Sequence, residues 1–352
     1  MIKIVNSLFF IFTTFFLTAQ NSQLQYLFKN HKDGYNVFRI PTAIVTTSGK
    51  ILTFCEGRKS LKDNGDIDLV MKTSADNGKT WSSLKVIWDD AKNTCGNPAP
   101  VFNKVTGDIL VVATLNNDRV FLLRSRDEGN NWEKPVEITS SVKPPNWKWY
   151  ASGPVHAIQL EQNNYKNRIV VPCNHTVVDI DKHISHVIYS DDNGITWQLG
   201  GSVSKEKTDE CTVAELANGD ILLNMRNSKR NLPNRKTTLS SDGGITWSSP
   251  EFDSTLIDPI CQGSLLRYSF SPDILLFSNL KNKMKRKNLT LSISKDNGRT
   301  WAKQVTVCAK KSAYSDIVVL NNGDVFCLFE SGILLPYAGI STKIIKEKII
   351  EE

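Results

Sequence analysis

Three arginines in this chain adjoin strand-like segments, and at the first of them a solvated cation is out of place. Arg39 lies within Val37-Phe38-Arg39-Ile40-Pro41, flanked by apolar residues. Arg226 follows the run Ile221-Leu222-Leu223-Asn224-Met225, and Arg286 leads into the alternating segment Asn288–Ser294. A guanidinium stays charged, and its planar fork matches a carboxylate through two parallel hydrogen bonds. Brought together, three of them would grip an anionic group; taken singly, each reads as a surface or salt-bridge arginine. Glu330 ends the apolar run Val325-Phe326-Cys327-Leu328-Phe329, where a carboxylate is costly unless a cation pairs with it. His156 and His175 are further groups able to move protons. The seven cysteines (55, 95, 173, 211, 261, 308, 327) show no metal-ligand spacing, and an odd count leaves at least one without a disulfide partner. Most lie in apolar runs and read as buried free thiols.

A repeat is what can bring such distant segments to one place. Five stretches spell Ser-x-Asp-x-Gly-x-x-Trp, starting at Ser74, Ser125, Ser190, Ser240 and Ser294, at intervals of 51, 65, 50 and 54 residues. They consume five of the eight tryptophans, and the period is that of a propeller or another repeat array. Asp side chains bond backbone amides in tight turns and Gly supplies positive φ, so the motif reads as a structural hairpin pin and not as a calcium site. A second repeat, a charged residue followed by an apolar strand, recurs at Lys50, Asp108, Arg168, Asp220, Asp273 and Asp324. It counts six units, the first five carrying one tryptophan turn each. Short strands at regular spacing with almost no helical periodicity predict an all-β fold. About fifty residues per unit suits a four-stranded antiparallel sheet, which gives a six-bladed β-propeller over residues 20–352. The last unit is short after Glu330, so a strand near Leu24–Phe28 is expected to complete its sheet.

Residues 1–19 differ from the rest: Lys3, an apolar run from Ser7 to Leu17, then Thr18-Ala19. This reads as a secretory signal peptide, too short for a transmembrane span. The mature protein is expected to be secreted or periplasmic, soluble, monomeric and without a membrane span. A net charge of +7 favours an anionic partner at long range. The densest basic run, Lys283-Met284-Lys285-Arg286-Lys287, reads as a solvated loop, and no basic stripe interleaved with aromatics points to nucleic acid.

Together these features resemble the exo-α-sialidase (neuraminidase) family over residues 35–330. The resemblance rests on Phe38-Arg39-Ile40-Pro41, the five tryptophan turns (Asp boxes, or BNR repeats), Glu210-Cys211 with Arg226 downstream, Arg286 before Asn288-Leu289-Thr290, and Tyr314-Ser315-Asp316. It implies removal of terminal sialic acid from glycans, glycoproteins or glycolipids with retention of configuration and no cofactor. It also implies that Arg39, Arg226 and Arg286 hold the sugar carboxylate, that Glu330 orients Arg39, and that Arg58 is a further substrate-binding arginine. Tyr314 resembles the family's nucleophile, Glu210 its base, and Asp63 the acid/base on the loop after the first inner strand. A phenol nucleophile makes physical sense. The anomeric carbon already bears a carboxylate, and a second anion at 4 Å would be repelled by roughly 1–4 kcal/mol. The phenol's reference pKa of about 10 then calls for a neighbouring base. Asp66 and Asp68 lie close to Asp63 and compete for its part. One departure is Gly153-Pro154, which runs into Val155-His156 where the family often has another Gly. The adjacent Trp147-Lys148-Trp149-Tyr150 is either an aromatic wall for the aglycone or a packed loop.

Two other readings share the fold. Transglycosylation would use the same residues while excluding water. A non-catalytic glycan-binding propeller would be expected to lack Tyr314, Glu210 or Asp63, and all three are present.

Overall fold

In this computed structural model, which describes residues 25–178, 180–203, 207–228 and 232–352, each tryptophan turn closes the hairpin between the third and outermost strands of a sheet. The leader expected at 1–19 lies outside the described residues. In the third repeat, Asp192 accepts the backbone N–H groups of Ile195 (3.1 Å) and Thr196 (2.8 Å) and the Thr196 hydroxyl (2.6 Å). The Ser190 hydroxyl donates to Asp192 and accepts from the Gly194 amide, both at 2.8 Å. The Ser190 and Asp192 side chains thus find their partners within four residues.

The two sequence repeats prove to be the two sides of one contact. A Cβ placed on Gly194 would lie 2.5 Å from Leu110, on the preceding sheet, while φ there is +79°. Only glycine satisfies both the turn and the approach. Gly129 meets Leu52 and Gly298 meets Leu222 in the same way, and a Cβ on Gly78 would touch Phe326 at an ordinary 3.4 Å. Leu52, Leu110, Leu222 and Phe326 all follow the charged residue of the second repeat by two positions. That charged residue also reaches across: Lys50 Nζ donates to the Glu128 carbonyl (2.9 Å) and Arg168 Nη1 to the Gly243 carbonyl (2.9 Å). The tryptophans therefore pin neighbouring sheets as well as their own. Trp132 packs edge-on against Phe54 at 6.0 Å, and Trp81 packs against Phe326 at 5.7 Å.

Four sheets stand separately, and their inner strands are Val37–Val45, Cys95–Phe102, Trp147–Ser152 and Thr208–Glu215. A fifth, seven-stranded sheet contains the last two blades, made continuous by the 17-residue strand Lys303–Val319. Its first half is the outer strand of blade five, paired with Lys287–Ser294; its second half is the inner strand of blade six, paired with Val325–Gly332. The ring closes as the short sixth repeat required. Tyr26–Lys29 pairs antiparallel with Gly339–Ile345 and supplies the outer strand of blade six. The result is the expected all-β six-bladed propeller.

Buried apolar residues between adjacent sheets make up the core, including all seven cysteines, which are buried free thiols. On the axis, buried Asp316 accepts the backbone N–H groups of Ala43 (3.0 Å) and His156 (3.2 Å), the Ser264 hydroxyl (2.7 Å) and His156 Nδ1 (2.7 Å). One carboxylate thus ties four blades. His156 is committed to this knot. Among the described residues no helix is long and apolar enough to cross a membrane.

Candidate active site

Register fixes which end of the propeller can carry chemistry. The tryptophan turns sit where the inner strands finish: Val45 pairs with Ile51, which pairs with Ser74. The opposite end is left to residues that begin an inner strand or end a second one. Arg39, Glu210 and Tyr314 begin inner strands, whereas Arg58, Arg226 and Glu330 lie at or near the ends of second strands. Asp63 and Arg286 come from the loops that follow second strands. Arg39, Arg58, Asp63, Glu210, Arg226, Arg286 and Tyr314 line a single depression of about 990 Å³, and Glu330 lies fully buried beneath it.

The inner strands lose regular pairing at the level of this depression. Register shifts fall between Arg39 and Thr42, Gly96 and Ala99, Thr208 and Cys211, and Ser312 and Ser315. Such irregularities re-aim side chains that strict alternation would send elsewhere. The breaks bracket Asn97, Glu210 and Tyr314 and begin at Arg39, which all reach the pocket.

Three of the four pocket arginines are held by buried carboxylates. Arg39 Nε donates to Glu330 Oε1 at 2.6 Å, and the same carboxylate accepts the N–H groups of Ile40 (3.0 Å) and Tyr314 (3.2 Å). Arg58 Nε donates to Glu56 at 2.7 Å, and its Nη1 to Asp63 at 2.6 Å. Arg226 Nη1 donates to Glu210 Oε2 at 2.7 Å and to the Tyr314 hydroxyl at 3.3 Å, while Asp209 lies 3.5 Å from its Nε. Arg286 differs. Its guanidinium donates to the Tyr337 hydroxyl (2.9 Å) and the Ile260 carbonyl (3.1 Å), and no carboxylate forms an ion pair with it among the described residues. An incoming anion therefore meets one cation whose charge is not already matched.

The Tyr314 hydroxyl donates to Glu210 Oε1 across the axis. Burial raises the Tyr314 phenol far above its ordinary value, and the adjacent Glu210 charge adds to the rise. Burial alone would also raise Glu210, but the Arg226 charge and the Tyr314 hydrogen bond outweigh it and hold the carboxyl low. Within this pair the proton thus belongs to tyrosine and the charge to glutamate. Asp63, with its side chain 84% exposed, is likewise held low, because hydrogen bonding to Arg58 and the charges of Arg58, Arg39 and Arg286 overcome partial desolvation. Asp68 is elsewhere, accepting the Tyr35 hydroxyl at 2.6 Å, so among the neighbouring acids it is Asp63 that faces the pocket.

The BNR repeat-like domain family matches residues 49–327. An exo-alpha-sialidase of Aspergillus fumigatus is 30% identical over 300 residues, covering 75% of this chain and 69% of that protein. The chain belongs to the BNR-repeat sialidase family. A sialidase of Micromonospora viridifaciens is 28% identical over 346 residues, covering 89% of this chain; the chain spans only 52% of that relative's length. Among solved structures, the Hadza microbial sialidase Hz136 superposes with a TM-score of 0.82 at 27% identity, over 90% of this chain and 67% of its own.

Within this sialidase fold, several residues in or beside the pocket escaped sequence reasoning. Glu56 carried the same signal as Glu330, a carboxylate at the end of an apolar run, and could have been found by it, whereas Asp209 follows the polar stretch Lys205-Glu206-Lys207-Thr208 and carried none. Tyr337 covers the Arg39 guanidinium at 4.4 Å, and nothing in its sequence context announces that. Asn97 donates its backbone N–H to Glu56 (2.8 Å) from a left-handed conformation. The aromatic cluster divides. Trp147 and Tyr150 are buried, whereas Trp149 lines the pocket beside His183 at 4.9 Å. His175 stacks flat beneath Trp147 at 3.3 Å, away from the pocket.

Proposed function

We propose that this protein is a hydrolytic exo-α-sialidase acting on terminal α-linked sialic acid of glycans, glycoproteins or glycolipids, with retention through a tyrosyl intermediate. The observation that supports it best is the convergence of Arg39, Arg226 and Arg286 on the Tyr314–Glu210 pair in one depression. The arginines grip the sugar carboxylate and set the anomeric carbon above Tyr314.

In the first step the Tyr314 oxygen attacks that carbon as its proton passes to Glu210. The glycosidic C–O bond breaks, and the leaving oxygen takes a proton from Asp63. In the second step Asp63 removes a proton from water, the water oxygen bonds the anomeric carbon, and the tyrosyl C–O bond breaks as Glu210 returns its proton. The electrostatics of the pocket oppose the first proton transfer, because tyrosine is held protonated and glutamate ionised. Positive charge developing on the sugar stabilises the phenolate only as the transition state forms, so the assistance acts on the barrier more than on binding. Asp63 must enter protonated. A sugar carboxylate that engages Arg39 and Arg286 weakens their hold on Asp63 and so raises its proton affinity on binding.

Residues 1–19 would direct export, placing the mature enzyme outside the cell or in the periplasm. The deciding experiment is hydrolysis of a fluorogenic α-sialoside by the wild type and by Tyr314→Phe, with NMR of the first-formed anomer. Wild-type turnover yielding the α-anomer, and loss of at least about 10³-fold in the variant, is expected. An undiminished variant or a β-anomer product would overturn the mechanism, and transfer to an added acceptor sugar in place of water would point to transglycosylation.

A further inference from the structure

We propose that the lip of the pocket built by the fifth and sixth blades docks onto an anionic lipid bilayer. Among the described residues, four of the five most exposed large apolar side chains lie there: Met284 (83%), Leu334 (81%), Ile333 (75%) and Leu335 (62%). Singly exposed apolar residues are ordinary, but a cluster marks an interaction surface. Register makes these residues neighbours. Lys287 pairs with Lys311, and Lys311 pairs with Gly332, so the loops carrying Met284 and Ile333–Leu335 flank the strand segment Lys310–Lys311. Arg286 and Tyr337, from the same two loops, join through a 2.9 Å hydrogen bond.

Charge selects the partner. Lys283, Lys285, Lys287, Lys310 and Lys311 are all exposed around the apolar tips, and residues 281–289, 303–313 and 331–346 contain no Asp or Glu. Five lysines on a solvated loop would need no explanation; lysines ringing protruding aliphatic side chains match a surface with anionic headgroups over hydrocarbon. A second copy of this chain would oppose like charges. A polyanionic glycan offers nothing apolar for Met284 or Leu334 to enter.

The wedge is rigid enough to insert. Ala338 N–H bonds the Ser331 carbonyl (3.1 Å), Lys311 Nζ bonds the Leu334 carbonyl, and a Cβ on Gly332 would overlap the Leu335 carbonyl oxygen, so the loop folds tightly on itself. Because Arg286 and Tyr337 face the pocket from these same loops, docking would hold the pocket mouth beside the membrane, within reach of lipid-borne glycans. That last consequence rests on the sialidase reading; the docking itself does not.

The test is co-sedimentation of the full chain with phosphatidylcholine vesicles, with and without a one-third fraction of phosphatidylglycerol. Binding is expected to the anionic vesicles only and to weaken as salt is raised. The double variant Lys283→Glu/Lys310→Glu should lower partitioning by at least about twentyfold, taking roughly fivefold per lysine. Leu334→Ser should lower it as well, and a Leu334→Trp reporter should shift its emission to the blue on binding. Thermal unfolding and turnover of a soluble fluorogenic sialoside should match wild type in all three variants, which separates lost docking from lost folding or activity. No binding to anionic vesicles at low salt overturns the proposal, as does binding unaffected by either substitution. Capture by heparin without vesicle binding overturns it in favour of a polyanionic glycan.

Discussion

The two ends of the propeller use the same residue types in opposite ways. At the tryptophan-turn end, Asp192 bonds Thr196 four residues away, and the arrangement recurs at Asp76, Asp242 and Asp296. At the pocket end, Arg39 and Glu330 are separated by 291 residues, Tyr314 and Glu210 by 104, and Arg226 and Tyr314 by 88. A carboxylate satisfied within its own turn can be copied from blade to blade without consulting the rest of the chain. One satisfied only after ring closure has a single possible position. The first kind stabilises a hairpin; the second couples assembly of the whole ring to a charged, chemically competent cluster. Substitutions at the two ends should therefore separate activity from stability.

The largest separation is expected at Asp63. Its side chain is largely exposed and the amide keeps an oxygen for Arg58, so Asp63→Asn should lower the thermal midpoint by no more than about 2 °C while lowering kcat/KM for a sialyl-lactose by about 10²–10⁴-fold. An aryl sialoside, whose leaving group needs little protonation, should lose under about tenfold. Equal losses on both substrates would remove Asp63 from the general-acid role. Glu330→Gln should damage both properties, because it leaves the Arg39 cation buried with half its anchor gone. Breaking a buried pair costs about 3–5 kcal/mol. The expected result is a lower midpoint together with a raised KM, read by calorimetry and steady-state kinetics. Asp192→Ala tests the other end. It removes several exposed hydrogen bonds, so a loss of about 1–2 kcal/mol and kcat/KM within about twofold of wild type are expected in denaturant titration and the fluorogenic assay. A tryptophan-turn substitution that abolished turnover without unfolding would erase the distinction.

This contrast also explains what could be read in the sequence. The turn end is a local pattern repeated five times, the charged-residue repeat raised the count to six blades, and the short sixth unit announced a closing strand near Leu24–Phe28, which the fold supplies as Tyr26–Lys29. What the repeats hide is that one contact joins them: nothing in Gly194 or Leu110 alone says that they touch across sheets. At the pocket end, Arg39, Glu210, Arg226, Arg286 and Tyr314 stood out as non-repeating groups matching a family pattern, and Asp63 was separable from Asp68 only once Tyr35 was seen to occupy the latter. Tyr337 was illegible because a cation–aromatic contact between the two ends of the chain leaves no periodic trace. Trp149 was ambiguous for a different reason. The register shift between Trp147 and Tyr150 breaks the alternation by which facing is inferred.

The smallest predicted effect lies between the two ends, in blade three. His175 and His186 face each other at 3.0 Å between Nδ1 atoms, packed against Trp147 and Tyr150. Burial pushes His175 down to about 3, with the nearby His183 charge adding to it, and burial followed by the His175 charge pushes His186 well down. Both folded values lie below the unfolded value of about 6.5. Between those values the unfolded chain binds protons that the folded chain refuses, so stability is full above pH ~6.5 and falls as pH drops toward 3. The tryptophan turns do not share this window: hydrogen bonds from the Thr80 hydroxyl and amide and the Ser74 hydroxyl hold Asp76 at about 2, so its contribution fades only below the unfolded carboxylate value of about 4. The thermal midpoint should therefore fall by roughly 2–4 °C between pH 7.5 and 5. His175→Phe should flatten that slope, whereas Asp76→Ala should lower the midpoint equally at both pH values. A slope unchanged by His175→Phe, or one removed by Asp76→Ala, would place the acid sensitivity outside the histidine pair.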